Sequence, residues 1–288
     1  MEYVTLNTGA KMPLEGFGVF QVPDLKECEQ VTYDAIKVGY RLIDTAAAYM
    51  NEEAVGRAIR RAIADGIVKR EDLFVVSKLW VQDMKNEETA AQGIETSLKK
   101  LDIGYLDLYL EHQAMGDYFA AWRAMERAYK EGKLKAIGVS NFYPFMLVNF
   151  CETVDVQPAV NQIEIHPFFQ REEDLKIMKE YHVQPMAWGP LDEGRQNIFN
   201  HPVLTKIGQK YGKTAAQVAL RWNVDRGVVI IPKSVHVERM QQNFDIFDFK
   251  LSDEDKKEIA KLNLGHTEII NHFDPAVQKM VLGVKIHA

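Results

Sequence analysis

Eight short apolar runs alternating with amphipathic helical stretches, across 288 residues with no linker rich in Pro, Gly or Ser, predict a single α/β domain over residues 1–288. The expected architecture is a (β/α)8 TIM barrel with an N-terminal β-hairpin and extra helices. The strand-like runs lie at residues 17–19, 41–45, 73–78, 106–112, 136–140, 159–166, 184–188 and 228–231. Strands this apolar suit a parallel sheet covered by helices. Eight such units close most economically into a barrel, which reaches roughly 250 residues as one domain.

Taken in order, residues 3–6 and 11–14 flank a turn at 7–10 and read as a hairpin. The strand around Gly16 and Gly18 lacks the third glycine of a dinucleotide fingerprint, so that signal is weak. Residues 25–38 put Leu25, Cys28, Val31, Ala35 and Val38 on one helical stripe, and Gly39 ends it. Asn51 is the expected N-cap of the next helix, 51–64, with Glu52 and Glu53 in its electropositive first turn. Helical patterns recur at 87–101, 118–131, 144–152, 172–182 and 214–223. Extra helices are expected at 202–211 and at 252–262, where Ser252 precedes three acidic residues, and a tail follows from residue 263.

Composition excludes several classes of partner. The chain is 47% hydrophobic and 26% charged with net charge −6, and its charges are interspersed, so no footprint for nucleic acid is present. Cys28 and Cys151 are too few for a disulfide framework or a thiolate metal site, and no metal is expected. The N-terminus lacks a signal-peptide pattern, and no apolar run approaches the roughly 20 residues of a membrane span. A cytoplasmic protein without membrane partners is the expectation.

Chemistry in such a barrel gathers where the strands end. The second strand ends in Asp44 with Tyr49 just beyond, the third in Lys78, and the fourth in His112 behind an inward stripe of Leu106, Leu108 and Leu110. Singly, each has an ordinary use: a helix cap, packing, a solvated charge, a hydrogen-bonded structural histidine. Together at three consecutive strand ends they form a set. A phenol is a poor acid at neutral pH; an ammonium lowers its pKa, and a carboxylate holds that ammonium charged. Such a site protonates an oxygen on which negative charge grows, as when hydride adds to a carbonyl.

This tetrad resembles that of the aldo-keto reductase family. The likeness runs almost the whole chain: Met12-Pro13 with Gly16-Phe17-Gly18, Ile43-Asp44-Thr45-Ala46, Val76-Ser77-Lys78-Leu79-Trp80, Leu106-Asp107-Leu108-Tyr109-Leu110, Ile137-Gly138-Val139-Ser140-Asn141-Phe142 and Ile231-Pro232-Lys233-Ser234. The resemblance implies reduction of aldehydes and ketones with NADPH, Tyr49 as general acid, a small-molecule carbonyl substrate and a monomer. It further implies that Ser140, Asn141 and Gln162 hold the nicotinamide carboxamide and that Trp188 stacks on the ring. Gly18, Val19, Phe20, Gly189, Pro190 and Leu191 would line the cofactor. Lys233, Ser234, Val235, His236, Arg239, Gln242 and Asn243 would take the 2′-phosphate and adenine.

Gln113 after His112 resembles a bacterial branch that includes the 2,5-diketo-D-gluconate reductases. A polar amide there favours polar carbonyls, unless it points to solvent. Phe20, Val19 and Trp80 supply the apolar wall, and Ala47 and Ala48 leave room beside Tyr49. His236 and Gln242 replace residues that commonly assist phosphate binding, so NADH is an admissible cofactor. Glu111 alternates onto the helix-facing side, where a carboxylate needs a partner or a raised pKa. The short tail is expected to close the pocket incompletely. Two other readings exist: a cofactor-binding regulatory subunit, and a barrel aldolase with Lys78 as Schiff-base nucleophile.

Overall fold

The structure, a computed structural model, describes residues 1–288. Its centre is an eight-stranded parallel sheet in which each strand pairs with its neighbour in the chain. The strands are β3 (Phe17–Gly18), β4 (Leu42–Asp44), β5 (Phe74–Leu79), β6 (Leu108–Glu111), β7 (Ile137–Ser140), β8 (Val160–Glu164), β9 (Gln184–Trp188) and β10 (Val229–Ile230). The sheet closes on itself. Gly16 N–H donates to the Ile230 carbonyl at 2.8 Å and Ile230 N–H to the Leu14 carbonyl at 2.9 Å, joining the first strand to the last. The expected barrel is therefore present.

Register sets which side chains face inward. Asp44 pairs with Val76, Lys78 with Leu110, Leu110 with Gly138, Ser140 with Gln162, and Gln162 with Met186. Paired residues share a face and strand alternation has period 2, so these side chains point into the barrel. Gly138 is required by crowding there: a Cβ would stand 2.6 Å from the Val160 carbonyl oxygen and 2.8 Å from Leu110 Cδ2.

Helices α1 (Leu25–Val38), α2 (Glu52–Ala64), α3 (Glu87–Leu101), α4 (Tyr118–Lys130), α5 (Pro144–Cys151), α6 (Glu172–Glu180) and α8 (Ala215–Asp225) wrap the strands, with α7 (Pro202–Tyr211) inserted before α8. Local chemistry starts and stops them. The Asp24 carboxylate caps α1 by accepting from the Lys26 and Glu27 N–H groups, and Gly39, at φ 128°, ends it. Thr214 and Gln217 form a reciprocal capping box on α8. The hairpin of β1 (Tyr3–Thr5) and β2 (Lys11–Pro13) covers the N-terminal end of the barrel, where Asn7 Nδ2 donates to the Pro158 carbonyl at 3.0 Å. That leaves the C-terminal mouth for chemistry.

Four expectations need correction. Asn51 stands at the N-cap position of α2, but its side chain does not cap the helix; it accepts from the Thr45 hydroxyl at 2.8 Å and donates to the Val19 and Val22 carbonyls, tying two loops together. Glu52 does sit in the first turn of α2, but it is buried there and accepts from the Ser77 hydroxyl at 2.6 Å, with its pKa raised by burial. Residues 237–244, where no helix is expected, form α9 (Val237–Phe244), with Val237, Met240 and Phe244 at helical spacing and Phe244 packed on Tyr40. Beyond α10 (Asp253–Ala260), the tail holds α11 (Pro275–Gly283), opened by the Asp274 carboxylate with Pro275 at its first position. Nor is the tail a loose end. It crosses the mouth from β8, where the Thr267 hydroxyl donates to Glu164 Oε2 at 2.7 Å, to β5, where Trp80 Nε1 donates to the Val284 carbonyl at 3.0 Å.

Candidate active site

The ends of β4 and β5 bring Asp44 and Lys78 together below the mouth. Lys78 Nζ donates to Asp44 Oδ1 at 2.5 Å, to the Thr45 carbonyl at 2.9 Å and to Tyr49 Oη at 3.2 Å. The second Asp44 oxygen accepts from Gln162 Nε2 at 2.8 Å. Both charged side chains are sealed from solvent, Lys78 at 0% and Asp44 at 1% exposure. Burial opposes the Lys78 charge, but Asp44 and Tyr49 outweigh it and hold the ammonium above its ordinary pKa. Lys78 is therefore a cation, not a free amine.

Tyr49 sits on a single 3₁₀ turn, Ala47–Tyr49, closed by Met50 in the left-handed region at φ 54°. Sequence reasoning expects Lys78 to lower its pKa. Lys78 does act in that direction, but burial is larger, and the phenol lies above its usual value. Tyr49 is consequently a neutral O–H at physiological pH, with a cation 3.2 Å away ready to stabilise the phenolate once the proton leaves.

His112 follows β6 and packs edge-on against Tyr49 and Trp80, at centroid distances of 5.5 and 5.2 Å. Burial, then the Lys78 charge, hold its pKa well below the ordinary imidazole value, so it is neutral. Its Nδ1 is buried without a partner, which leaves Nε2 as the nitrogen that reaches open space. Phe20, 51% exposed, tilts over Tyr49 at 5.0 Å and completes the apolar rim with Trp80. Ala48 is partly buried beside it. Val19, by contrast, has no exposed surface; it supports the wall from behind.

On the opposite side of the mouth, the Ser140 hydroxyl donates to the Gln162 carbonyl at 2.8 Å. Asn141, in the left-handed region at φ 62°, takes the Trp188 indole N–H on its Oδ1 at 2.9 Å. Its Nδ2 donates to the Ser140 hydroxyl at 3.1 Å, and at 3.2 Å to both the His112 carbonyl and Gln113 Oε1. Neither residue caps α5, whose N-cap is Tyr143. Gln113 does not point into solvent: it is 8% exposed and held by Asn141. The Gln162 side-chain oxygen takes no bond from the chain and is not among the sealed unpartnered atoms. Trp188 is half-buried rather than core, and Gly189, at φ 59°, turns the chain into Pro190 and Leu191 beside it.

The last group runs from the segment after β10 into α9. Lys233, His236, Arg239 and Gln242 are exposed, and Lys233 and Arg239 have no carboxylate within 4.0 Å. Val235 is partly buried, and Asn243 is buried. The Ser234 hydroxyl accepts from His236 N–H at 3.0 Å, closing the turn before the helix. No side chain caps the N-terminus of α9, whose first turn carries Arg239.

Sequence reasoning missed a buried polar cluster next to Trp188. His166 Nε2 lies 3.0 Å from Glu164 and 3.3 Å from Asp192, and Glu164 also holds Thr267 of the tail. Burial pushes Asp192 up to about 6. Glu164 and His166 satisfy the same strand-end rule that selects Asp44, and Asp192 follows the end of β9. Glu111 has both oxygens buried and unpartnered, and burial, with negative Asp117, holds its carboxyl well above the usual range.

With this geometry in place, comparison with known proteins is specific. The family described as "Aldo/keto reductase family" matches residues 21–264. An uncharacterized oxidoreductase, YtbE, and glyoxal reductase, both of Bacillus subtilis, are each 45% identical over 90% of this chain and 92% of their own length. The methylglyoxal reductase DkgA of Escherichia coli is 42% identical over 91% of this chain and 94% of its own. An aldo-keto reductase from a Medee basin deep-sea metagenome superposes with a TM-score of 0.89 at 40% identity, covering 95% of this chain and 99% of that one. A Bombyx mori aldo-keto reductase solved in complex with NADP gives 0.88 at 34% identity, covering 92% and 94%.

Proposed function

The chain belongs to the aldo/keto reductase family, and we propose that Asp44, Tyr49, Lys78 and His112 are the residues with which it reduces aldehydes and ketones to alcohols using NAD(P)H. The observation that carries the assignment is the buried Asp44–Lys78–Tyr49 chain, at 2.5 and 3.2 Å, ending on a neutral phenol at the mouth.

The residues present fit the cofactor. Gln162 offers an unpartnered carbonyl oxygen to a carboxamide N–H, Trp188 offers a half-open ring face, and Lys233 and Arg239 are cations without carboxylate partners beside an uncapped helix start. The nicotinamide, when bound, supplies a hydride to the carbonyl carbon. His112, as a neutral imidazole, orients the carbonyl oxygen through Nε2–H. Tyr49 gives its proton to that oxygen as negative charge grows on it. Lys78, kept charged by Asp44 and itself sealed from solvent, meets the resulting phenolate electrostatically. Gly18 and Phe20, backed by Val19, with Gly189, Pro190 and Leu191 wall the cofactor, while Ser140 and Asn141 position its amide edge. A cationic Lys78 is unsuited to Schiff-base chemistry, which needs the free amine.

Two of the similar proteins are named glyoxal and methylglyoxal reductases, and Gln113 gives this pocket a polar wall. Short polar oxo compounds are the substrates we assign. NADPH is the cofactor, held through Lys233 and Arg239. His236 and Gln242 add little to phosphate binding and leave NADH admissible. We assign a single catalytic domain over residues 1–288, a monomer, and the cytoplasm; no helix is long and apolar enough to cross a membrane.

Consumption of NADPH and of NADH, followed by absorbance, tests the reading against an aromatic aldehyde, methylglyoxal, an aldose and a diketo sugar acid. Turnover with NADPH is expected, fastest on the polar short-chain substrates. Cofactor binding without turnover on any of them would overturn it. Lys233→Ala is expected to weaken NADPH by about tenfold or more and NADH much less, since only the former carries the 2′-phosphate; equal losses would remove Lys233 from the phosphate site.

A further inference from the structure

The hydrogen-bond pattern around Asn141 determines which end of the Gln113 amide faces substrate. An indole N–H can only donate, so the Asn141 atom 2.9 Å from Trp188 Nε1 must be its oxygen. The Asn141 NH2 then points the other way, where the His112 backbone carbonyl, which can only accept, lies 3.2 Å off. Gln113 meets that same NH2 at 3.2 Å and must present its oxygen to it. Two one-way groups thus remove the usual ambiguity of amide orientation at both residues. What remains is Gln113 Nε2. It makes no bond within the chain and is not among the sealed unpartnered atoms, although the residue as a whole is buried. One Asn141 NH2 group holds both the His112 backbone carbonyl and Gln113 Oε1, which ties the Gln113 amide to the residue that receives the carbonyl.

We propose that Gln113 is a specificity-determining residue whose Nε2–H donates to a second oxygen next to the reacting carbonyl, selecting 1,2-dicarbonyl and related 2-oxo compounds over simple aldehydes. The assignment rests on the carbonyl-reductase reading above. Trp188 and Asn141 are positioning residues in it: they never touch the second oxygen, but they orient the amide that does. The same indole that faces the nicotinamide thereby sets the polarity of the substrate wall. The second oxygen gains no charge during reduction, so its bond contributes equally to ground and transition states and appears in KM more than in kcat.

Methylglyoxal and propanal form the test pair, since both have three carbons and differ in the second oxygen. The ratio of their kcat/KM values, with NADPH, is the readout. Gln113→Glu keeps an oxygen for Asn141 and replaces the donor by an acceptor; the ratio is expected to fall about tenfold or more, mainly through the methylglyoxal KM. Trp188→Phe retains an aromatic ring but releases Asn141, and should lower the ratio with Gln113 untouched. Should Gln113→Glu not fold, Gln113→Met, of similar length without polar atoms, takes its place. Turnover of both aldehydes with a ratio that neither variant moves overturns the role of Gln113 and leaves the reductase reading intact. No NADPH oxidation by the wild-type chain on either substrate overturns both.

Discussion

Asp44 and Glu111 are both carboxyl groups at the ends of barrel strands, 1% and 0% exposed, and their circumstances are opposite. Asp44 has a lysine on one oxygen and a glutamine on the other. Glu111 has nothing on either. Strand alternation is the cause. Asp44 lies on the inward face, where the ends of β5 and β8 supply Lys78 and Gln162 across the mouth. Glu111 lies on the outward face, in register with Leu79 and Val139, between sheet and helices. An ion stays charged in a dry interior only if it is paired and hydrogen-bonded; otherwise it takes up a proton. Burial raises both carboxyls, but at Asp44 the Lys78 charge and the Gln162 hydrogen bond oppose it, whereas at Glu111 nothing does and Asp117 adds to it.

Removing the partner of the paired carboxyl should have the largest effect. Lys78→Met leaves Asp44 buried without its cation, which costs about 3–5 kcal/mol, and removes the charge that meets the phenolate, so kcat should fall by about a thousandfold or more. Urea unfolding and steady-state kinetics on the same preparation measure both. Unchanged stability would mean that Asp44 simply protonates, and the contrast with Glu111 would disappear.

Tyr49→Phe separates the pair from the chemistry it serves. The Asp44–Lys78 bond survives, so stability should shift by no more than about 1 kcal/mol, while kcat drops by about 10²–10⁴ because the proton donor is gone. NADPH titration should show cofactor binding retained. Turnover near the wild-type rate, with cofactor tightly bound, would defeat the assignment of Tyr49 as general acid.

The unpaired carboxyl gives the reverse sign. Glu111→Leu replaces a desolvated, unpartnered group by an apolar side chain suited to its neighbours, and should stabilise the fold by about 1–3 kcal/mol at neutral pH. A rise in the urea midpoint without a change in slope is the expected result. Destabilisation would reveal a partner for Glu111.

Both carboxyls are legible in the sequence, and so is the reason they differ. Periodicity of 2 along β4 and β6 assigns Asp44 inward and Glu111 outward, and the strand-end rule picks out Tyr49, Lys78 and His112. What alternation does not convey is competition. Whether Lys78 or burial dominates the Tyr49 phenol depends on how deeply the 3₁₀ turn seats it, and burial is the larger influence. Asn51 has the residue type and position of a helix cap, but its side chain instead ties its own loop, through Thr45, to the loop of Val19 and Val22, a long-range arrangement that local propensity cannot see. The α9 helix is only eight residues long, and its stripe of Val237, Met240 and Phe244 is legible in the sequence, whereas the Gln113 orientation comes from Trp188, 75 positions along the numbering of the chain. The α11 start was legible: Asp274-Pro275 is a cap followed by a favoured first residue.

The smallest expected effect is a slope. Because burial holds the Glu111 carboxyl well above the usual carboxylate range, the folded chain keeps a proton that the unfolded chain has already released. Between the unfolded carboxylate pKa and the raised folded one, the native state binds more protons, so stability must fall as pH rises, by at most about 1.4 kcal/mol per pH unit for one proton. Glu15 and Glu52, likewise raised by burial, add slopes of the same sign, so the wild-type curve alone does not isolate Glu111. The difference between wild type and Glu111→Leu does, since the other groups are common to both. The stability gained by Glu111→Leu should therefore grow from pH 5 to pH 8 in matched urea titrations. A gain independent of pH would mean that Glu111 is no more protonated in the folded chain than in the unfolded one, and that the two carboxyls differ in packing rather than in charge.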